Sequence, residues 1–192
     1  MYRRGSRWAN LAGALAIAGA VAAVAIGLPA LDRAVPAVRP VAENARFLVG
    51  AGVTVVPPPG ASVDVSATRP GSDQGAALFI LGSVRYAVVV TAAGSPGAPV
   101  TLTGAEMRLR NKITRLHGYQ VTSGASPINT AQGTVGRQGS YASPGRTGWY
   151  AVFVGPWGVA EVTASGTDSD LRGAIEPIQA SVRDLHFPAE AR

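Results

Sequence analysis

Residues 147–165 read TGWYAVFVGPWGVAEVTAS, and this stretch decides the fold class. Its β-branched and aromatic residues predict two strands joined by the turn Gly155-Pro156-Trp157-Gly158. Successive strand residues point to opposite faces, so Trp149 and Phe153 share one face while Tyr150 lies on the other. One of these faces must therefore belong to a buried core.

The segments before this hairpin continue the pattern and add one helix. Apolar residues at helical spacing predict an amphipathic helix at 103–117. Thr101 or Thr103 caps its start, and Thr103 with Glu106 has the spacing of a capping box. Further strands are predicted at residues 47–49, 53–56, 63–66, 76–81, 84–93 and 119–122.

A second helix follows the hairpin. We expect Asp168 or Ser169 to cap it, and Pro177 within it predicts either a kink or a new start. The order of strands, helix, strands and helix predicts an α+β fold. Its sheet should be mostly antiparallel, with both helices packed on one face.

The segment 123–146 is rich in Ser, Gly, Thr, Gln and Pro, and its structure is left open by the sequence. Parts of it, at 130–135 and 140–142, have the character of strands. The alternatives are a lid over a cavity in the sheet and a stretch without fixed structure.

The first part of the chain is apolar and uncharged from Trp8 to Leu31. The run from Leu11 to Leu28 has 18 residues, and as a helix it would be about 27 Å long. That length approaches the roughly 30 Å hydrocarbon core of a bilayer. The sequence therefore predicts a transmembrane helix, with a cleaved signal peptide and a buried soluble helix as alternatives.

The charges beside this segment predict its orientation. Arg3, Arg4 and Arg7 precede it, and the positive-inside rule then keeps residues 1–7 in the cytoplasm and exports everything after the anchor at 8–31. We therefore expect a membrane protein with a single span, a cytoplasmic amino terminus and an exported carboxy-terminal domain.

The exported part divides into a spacer and a folded domain. Prolines at 36 and 40 predict an extended spacer at 32–45, and the α+β domain is expected at 46–188. Three of the 17 basic residues precede residue 31, which leaves 14 basic and 11 acidic residues, a net charge of about +3. Part of the net positive charge therefore lies before the predicted span and indicates its orientation in the membrane. No nucleic-acid partner is expected.

Composition excludes several kinds of chemistry. The absence of cysteine excludes disulfides, iron–sulfur clusters and thiolate zinc sites. The two histidines, His117 and His186, are too few for a site with several histidine ligands. Because no nucleophile elbow or phosphate-binding loop occurs either, we predict no catalytic, cofactor-binding or metal-binding residues, and a protein that is not an enzyme.

Five features occur in a fixed order along the chain. They are a strand that ends in Pro57-Pro58-Pro59-Gly60, a following hairpin, a helix with Thr103 and Glu106, a strand at Gly118-Tyr119, and a last helix that runs into Ser181-Val182-Arg183-Asp184-Leu185-His186-Phe187. In this order they resemble the Mog1/PsbP-like domains of exported actinobacterial proteins. The resemblance covers roughly residues 46–188 and implies a non-catalytic accessory or binding domain.

Four residues are candidates for contact with a partner or with lipid. Arg108, Lys112 and Arg115 form one basic stripe along the predicted helix, which is either a binding surface or a solvated face. Trp157 lies at the tip of the hairpin, where it either docks a partner or packs back over its own hairpin.

These observations predict an accessory domain of the bacterial cell envelope that acts through protein partners. The alternative is a carrier or sensor that holds an apolar or lipid-like ligand between the helix at 103–117 and the sheet. A cavity lined by the inner face of that helix would favour the alternative. A solid core with an exposed apolar patch near Trp157 would favour partner binding.

Overall fold

The computed structural model describes residues 37–92 and 100–188, and every structural statement below refers to those residues. They contain eleven strands and two helices. In chain order these are β1 (Val38–Pro40), β2 (Phe47–Gly50), β3 (Val53–Val55), β4 (Ser62–Asp64), β5 (Gly75–Leu81), β6 (Val84–Thr91), α1 (Leu102–Thr114), β7 (Gln120–Val121), β8 (Ser126–Asn129), β9 (Val135–Ser143), β10 (Arg146–Gly155), β11 (Gly158–Gly166) and α2 (Asp168–Arg183).

Nine of the strands form one sheet. Its order is β1-β4-β5-β6-β11-β10-β9-β7, and β8 also pairs with β9. Strands β2 and β3 form a separate hairpin. All strand pairs are antiparallel, which confirms the α+β prediction with a mostly antiparallel sheet.

The helices lie on opposite faces of the sheet, so the prediction that both pack on one face is wrong. Trp149 and Phe153 of β10 belong to the core that α2 covers, whereas Tyr150 and Val152 belong to the core beneath α1. The reason is that β10 is apolar on both faces, and each apolar face must be covered. The alternation of Trp149, Tyr150 and Phe153 was predicted, but both sides are core.

The core beneath α2 is the larger of the two. Leu171, Ile178 and Val182 of α2 are buried there together with apolar residues of the central strands and of the β2–β3 hairpin. Pro177 lies inside α2, which is continuous over its 16 residues and does not start again. Its N-cap is Thr167, whose hydroxyl accepts from the Asp170 N–H, so the predicted caps at Asp168 and Ser169 are wrong.

Helix α1 is shorter than the predicted 103–117 and ends at Thr114. Thr101 caps it, with the hydroxyl accepting from the Gly104 N–H. The predicted capping box of Thr103 and Glu106 is wrong, because Thr103 lies inside the helix and the Glu106 side chain is buried.

The segment 123–146 holds strands β8 and β9, so neither a lid nor a stretch without structure describes it. Its glycines lie opposite aromatic residues: Gly136 pairs with Phe153, and Gly139 pairs with Tyr150. Each ring lies over the glycine that it pairs with. A Cβ at Gly139 would be 2.5 Å from the Tyr150 hydroxyl, and a Cβ at Gly136 would be 2.5 Å from the Phe153 ring. The glycines therefore make room for the aromatic side chains of β10.

The predicted amino-terminal segments are only partly within the described residues. The anchor predicted at 8–31 and the tail at 1–7 lie outside them. Of the predicted spacer at 32–45, Val38–Pro40 is extended and pairs with β4 at the end of the sheet. Neither helix in residues 37–92 and 100–188 has the length and apolar character that a bilayer crossing needs.

The glycine–aromatic packing gives a testable prediction. Replacing Gly139 by Ala should lower the free energy of unfolding by about 1–3 kcal/mol, because the added methyl group displaces the Tyr150 ring. As a matched control, Gly173→Ala in α2 places its Cβ in open space and should raise stability by up to about 1 kcal/mol. Urea denaturation of both variants measures the difference, and equal effects would contradict the packing argument.

Candidate functional site

A groove of about 340 Å³ lies between the carboxy-terminal half of α1 and the sheet. This volume is within the range of small-molecule sites, about 300–1,000 Å³. Leu109 and Ile113 of α1 form one wall, and Val89 of β6 lies on the sheet side. The complete lining is Val89, Leu109, Lys112, Ile113, Leu116, Tyr119, Tyr141, Glu161, Thr163 and Ser165.

An ion pair joins the two sides of this groove. Lys112 Nζ of α1 lies 3.0 Å from Glu161 Oε2 of β11. The lysine side chain is 66% exposed and the glutamate only 16%, so the pair lies at the solvent edge with the carboxylate on the inner side. Because the lysine remains in solvent, the pair contributes at most about 1 kcal/mol to stability.

Arg108 and Arg115 extend the positive charge along the same flank of α1. They precede and follow Lys112 by four and three residues, which is the spacing of neighbours on a helix surface. Both side chains are exposed, and within the described residues neither forms an ion pair. The structure therefore keeps the predicted basic stripe on one flank of α1, and of its three residues Lys112 lines the groove.

The opposite flank of α1 carries a buried carboxylate that sequence reasoning assigned to a helix cap. Glu106 Oε1 lies 3.2 Å from Arg110 Nη1, and Glu106 Oε2 lies 2.8 Å from Arg137 Nε of β9. The glutamate side chain is 5% exposed, so it needs both guanidinium groups as counter-charges. Its position four residues before Arg110 was the available signal, but the contribution of Arg137 depends on the fold.

Two tyrosines, Tyr141 and Tyr150, belong to the core beneath α1. The Tyr141 hydroxyl donates to the Ala164 carbonyl at 3.2 Å, and burial raises the pKa of Tyr141 to about 12. Burial also raises the pKa of Tyr150, whose hydroxyl has no hydrogen-bond partner in the described part of the chain. On the other face, burial raises the pKa of Tyr86, whose hydroxyl lies 3.2 Å from Ser181 Oγ.

Trp157 is not part of the α1 surface. Its ring stacks on Phe187 with centroids 4.4 Å apart and planes 8° from parallel, and it packs against the core on the α2 face. The side chain is half-buried, so an exposed tryptophan at the hairpin tip is not what the fold presents. It packs on the carboxy-terminal segment and not merely on its own hairpin.

Two further polar residues, His186 and Asp170, have structural partners. The backbone of His186 pairs with that of Thr54, and its Nδ1 contacts the Gln132 amide. Asp170, at the start of α2, accepts from Ser83 and Thr167. Over residues 37–92 and 100–188, no group of three or more potential ligands is arranged to hold a metal ion.

A wider groove of about 590 Å³ runs along α2 on the other face of the sheet. Its walls include the prolines at 57–59 and Pro177, and its charged residues are Glu43, Glu176, Asp184 and Arg183. With three carboxylates and one guanidinium group, this groove is acidic, whereas the flank of α1 is basic. The two helices therefore present surfaces of opposite charge.

Solved structures of other proteins superpose on this chain. For cyanobacterial PsbP (CyanoP) from Synechocystis sp. PCC 6803 the TM-score is 0.52 at 13% identity, with 80% of this chain and 94% of that chain covered. For PA94, a protein of unknown function from Pseudomonas aeruginosa, it is 0.49 at 17% identity, with 62% and 87% covered. No protein-family model and no curated protein matches the chain.

The chain has a PsbP-like fold. This confirms the predicted resemblance to Mog1/PsbP-like domains at the level of the fold. At 13% identity the similarity concerns the fold alone, so it transfers no residue roles.

The buried carboxylate gives a prediction about stability. Glu106→Ala should lower the free energy of unfolding by about 1–2 kcal/mol, because Arg110 and Arg137 lose their counter-charge but remain partly in solvent. The matched control is Asp168→Ala, which breaks another i,i+4 pair, with Arg172, that is exposed on both sides. That control should change stability by less than about 0.5 kcal/mol in urea denaturation. Equal losses in the two variants would mean that the buried pair stabilises the fold no more than the exposed pair does.

The raised pKa of Tyr141 predicts a loss of stability at alkaline pH. A tyrosine ionises near pH 10 when unfolded, whereas Tyr141 in the fold has a pKa of about 12. Its contribution is therefore complete below pH 10 and is lost as pH rises from 10 to 12. Unfolding free energies at pH 9 and pH 11.5 measure this change. Tyr141→Phe keeps the ring without the titration and should show a smaller decrease; the same decrease in both proteins would refute the assignment.

Proposed function

We propose that this protein is an accessory binding domain of the bacterial cell envelope, held at the membrane by a single span at residues 8–31. The domain is exported, and it acts by binding a protein partner through the basic flank of α1. The observation that carries this proposal is the exposure of Arg108 in α1 and of Arg115, its C-cap, close to exposed apolar side chains. Trp157 does not contribute to this surface, because its ring packs on Phe187.

The composition of this surface favours a protein interface. Met107 and Leu116 are each 56% exposed, and they are two of the five large apolar residues exposed in the described part of the chain. Arginine and methionine are enriched in protein interfaces, where their long side chains combine apolar contact with directed hydrogen bonds. A cationic and partly apolar helix surface therefore suits a partner with an acidic, partly apolar patch.

The underside of α1 supports this use because it holds the helix in place. Leu109 and Ile113 are buried against the sheet, and Glu106 joins the helix to Arg137 of β9. A helix fixed on its inner face presents its outer side chains with little ordering cost on binding. The exposed surface is therefore pre-organised for a partner.

Site-specific cross-linking in intact membranes tests the proposal. A photoreactive amino acid replaces Arg108, Arg115 or, as the matched control on the other helix, Arg172 in the full-length chain. We expect protein adducts from positions 108 and 115 and none from position 172. Reversing the charge at the unlabelled arginine of the pair, for example Arg115→Glu with the photoreactive group at position 108, should reduce the adduct roughly tenfold.

Two outcomes would contradict the proposal. Adducts with lipid alone would show that no protein partner binds this surface. Equal adducts from all three positions would show that binding is not specific to α1. An alkaline wash after irradiation tests the anchor separately: the full-length chain should remain in the membrane pellet. Release at a shortened mass would instead indicate a cleaved signal peptide.

A further inference from the structure

We infer that the groove beneath α1 binds a single-chain amphiphile with an anionic head, with its apolar chain between helix and sheet and its head on the basic flank. This binding shares Arg108 and Arg115 with the proposed partner surface and differs from it in the groove, which the partner does not need. It concerns the walls of the groove, where Leu109, Ile113 and Thr163 lie.

The walls of the groove suit a narrow apolar group. Val89 and Leu116 supply aliphatic surface beside the buried Leu109 and Ile113, and Tyr119 and Tyr141 meet with ring centroids 5.7 Å apart. The Tyr141 hydroxyl is already bonded to the Ala164 carbonyl, so this ring offers mainly its apolar surface. A volume of about 340 Å³ lies at the lower end of the usual range for ligand sites, which favours one chain over a two-chain lipid.

The charges beside the groove select the head of the ligand. Lys112 and Glu161 line the groove itself, and Arg108 and Arg115 are the neighbours of Lys112 on the helix surface, four residues before it and three after it. Glu161 already neutralises Lys112, which leaves the two exposed arginines to bind an anion. An arginine can bind a carboxylate through two parallel hydrogen bonds, whereas it repels a cationic head.

The edge of the groove can admit such a ligand without disturbing the core. The Lys112 side chain is 66% exposed on a flexible stem, so it can shift toward solvent while it stays paired with Glu161. Leu116 lines the groove and is 56% exposed, so a bound chain would cover apolar surface that now faces solvent. Both features lower the cost of entry and add to the gain on binding.

The shape of the site indicates an amphiphile that has left the bilayer. The apolar residues line a concave groove, whereas contact with a membrane surface needs apolar side chains that project into the lipid. The basic flank alone could adhere to anionic headgroups, but that would leave the groove empty. We therefore assign the groove to a monomeric ligand such as a long-chain carboxylate.

Photoaffinity labelling of the full-length chain in phosphatidylcholine nanodiscs tests the inference. The probe is hexadecanoate with a diazirine near its methyl end, and the matched control is the corresponding alcohol. Mass spectrometry should place the carboxylate label on peptides that contain residues 109–116 and 159–165. The alcohol should label these peptides roughly tenfold less, since it lacks the charge-assisted bonds to arginine.

Variants separate the groove from the rest of the molecule. Thr163→Trp fills the groove and should abolish the label, whereas Val135→Trp, an exposed position of β9 in the same sheet, should leave it unchanged. Arg108→Ala with Arg115→Ala changes only exposed side chains, so it tests the head contact even if Thr163→Trp does not fold. This double variant should reduce carboxylate labelling to the level of the alcohol.

Several results would overturn the inference. Equal labelling by the acid and the alcohol would show that the anionic head is not recognised. Labelling that persists in Thr163→Trp would show that the ligand does not bind in the groove. Labelling confined to the α2 groove would move the ligand to the other face. If a diazirine phosphatidylglycerol in the discs labels the same peptides as strongly, the ligand is a bilayer lipid and not a monomeric amphiphile. Loss of the label in Thr163→Trp with unchanged cross-links at Arg108 would leave the proposed partner binding intact.

Discussion

The burial of β10 on both faces is the constraint on which the rest of the fold depends. Trp149 and Phe153 require cover on one side, and Tyr150 and Val152 require it on the other. One helix cannot supply both, so α1 and α2 take opposite faces. Because the aromatic side chains of β10 are large, the residues opposite them on β9 must be small. Gly136 and Gly139 of β9 lie beneath the rings of Phe153 and Tyr150.

This arrangement gives α1 three different surfaces. Its inner face is apolar and encloses the groove with β6 and β11. One flank holds Glu106 between two arginines, and this buried carboxylate fixes the helix to the sheet. The other flank carries the basic stripe, in which Lys112 is paired at 3.0 Å while Arg108 and Arg115 face solvent. Charge used for stability and charge available for binding are thus separated across one helix.

Features with a local signal could be predicted. The turn at 155–158, the apolar spacing of α1 and the basic stripe all depend on residues close together in the chain. Within 123–146 the strand predicted at 140–142 lies in β9, but the one predicted at 130–135 does not form, and the glycines of β9 suggest a loop when read alone. Only the register with β10 reveals that aromatic rings fill the space above them. The role of Glu106 was missed for a similar reason, since Arg137 is 31 residues away in sequence and joins it through the sheet.

The sequence by itself determined the order of both helices and of most strands, the antiparallel class of the sheet and the stripe of Arg108, Lys112 and Arg115. Periodicity and turn chemistry are sufficient for these features. The tertiary structure alone decided that the helices take opposite faces, that Trp157 stacks on Phe187 and that a groove lies beneath the stripe. Each of these features depends on the packing of segments that are distant in the chain. Because the hydrophobic effect is not directional, a local sequence pattern does not specify which segments will pack together.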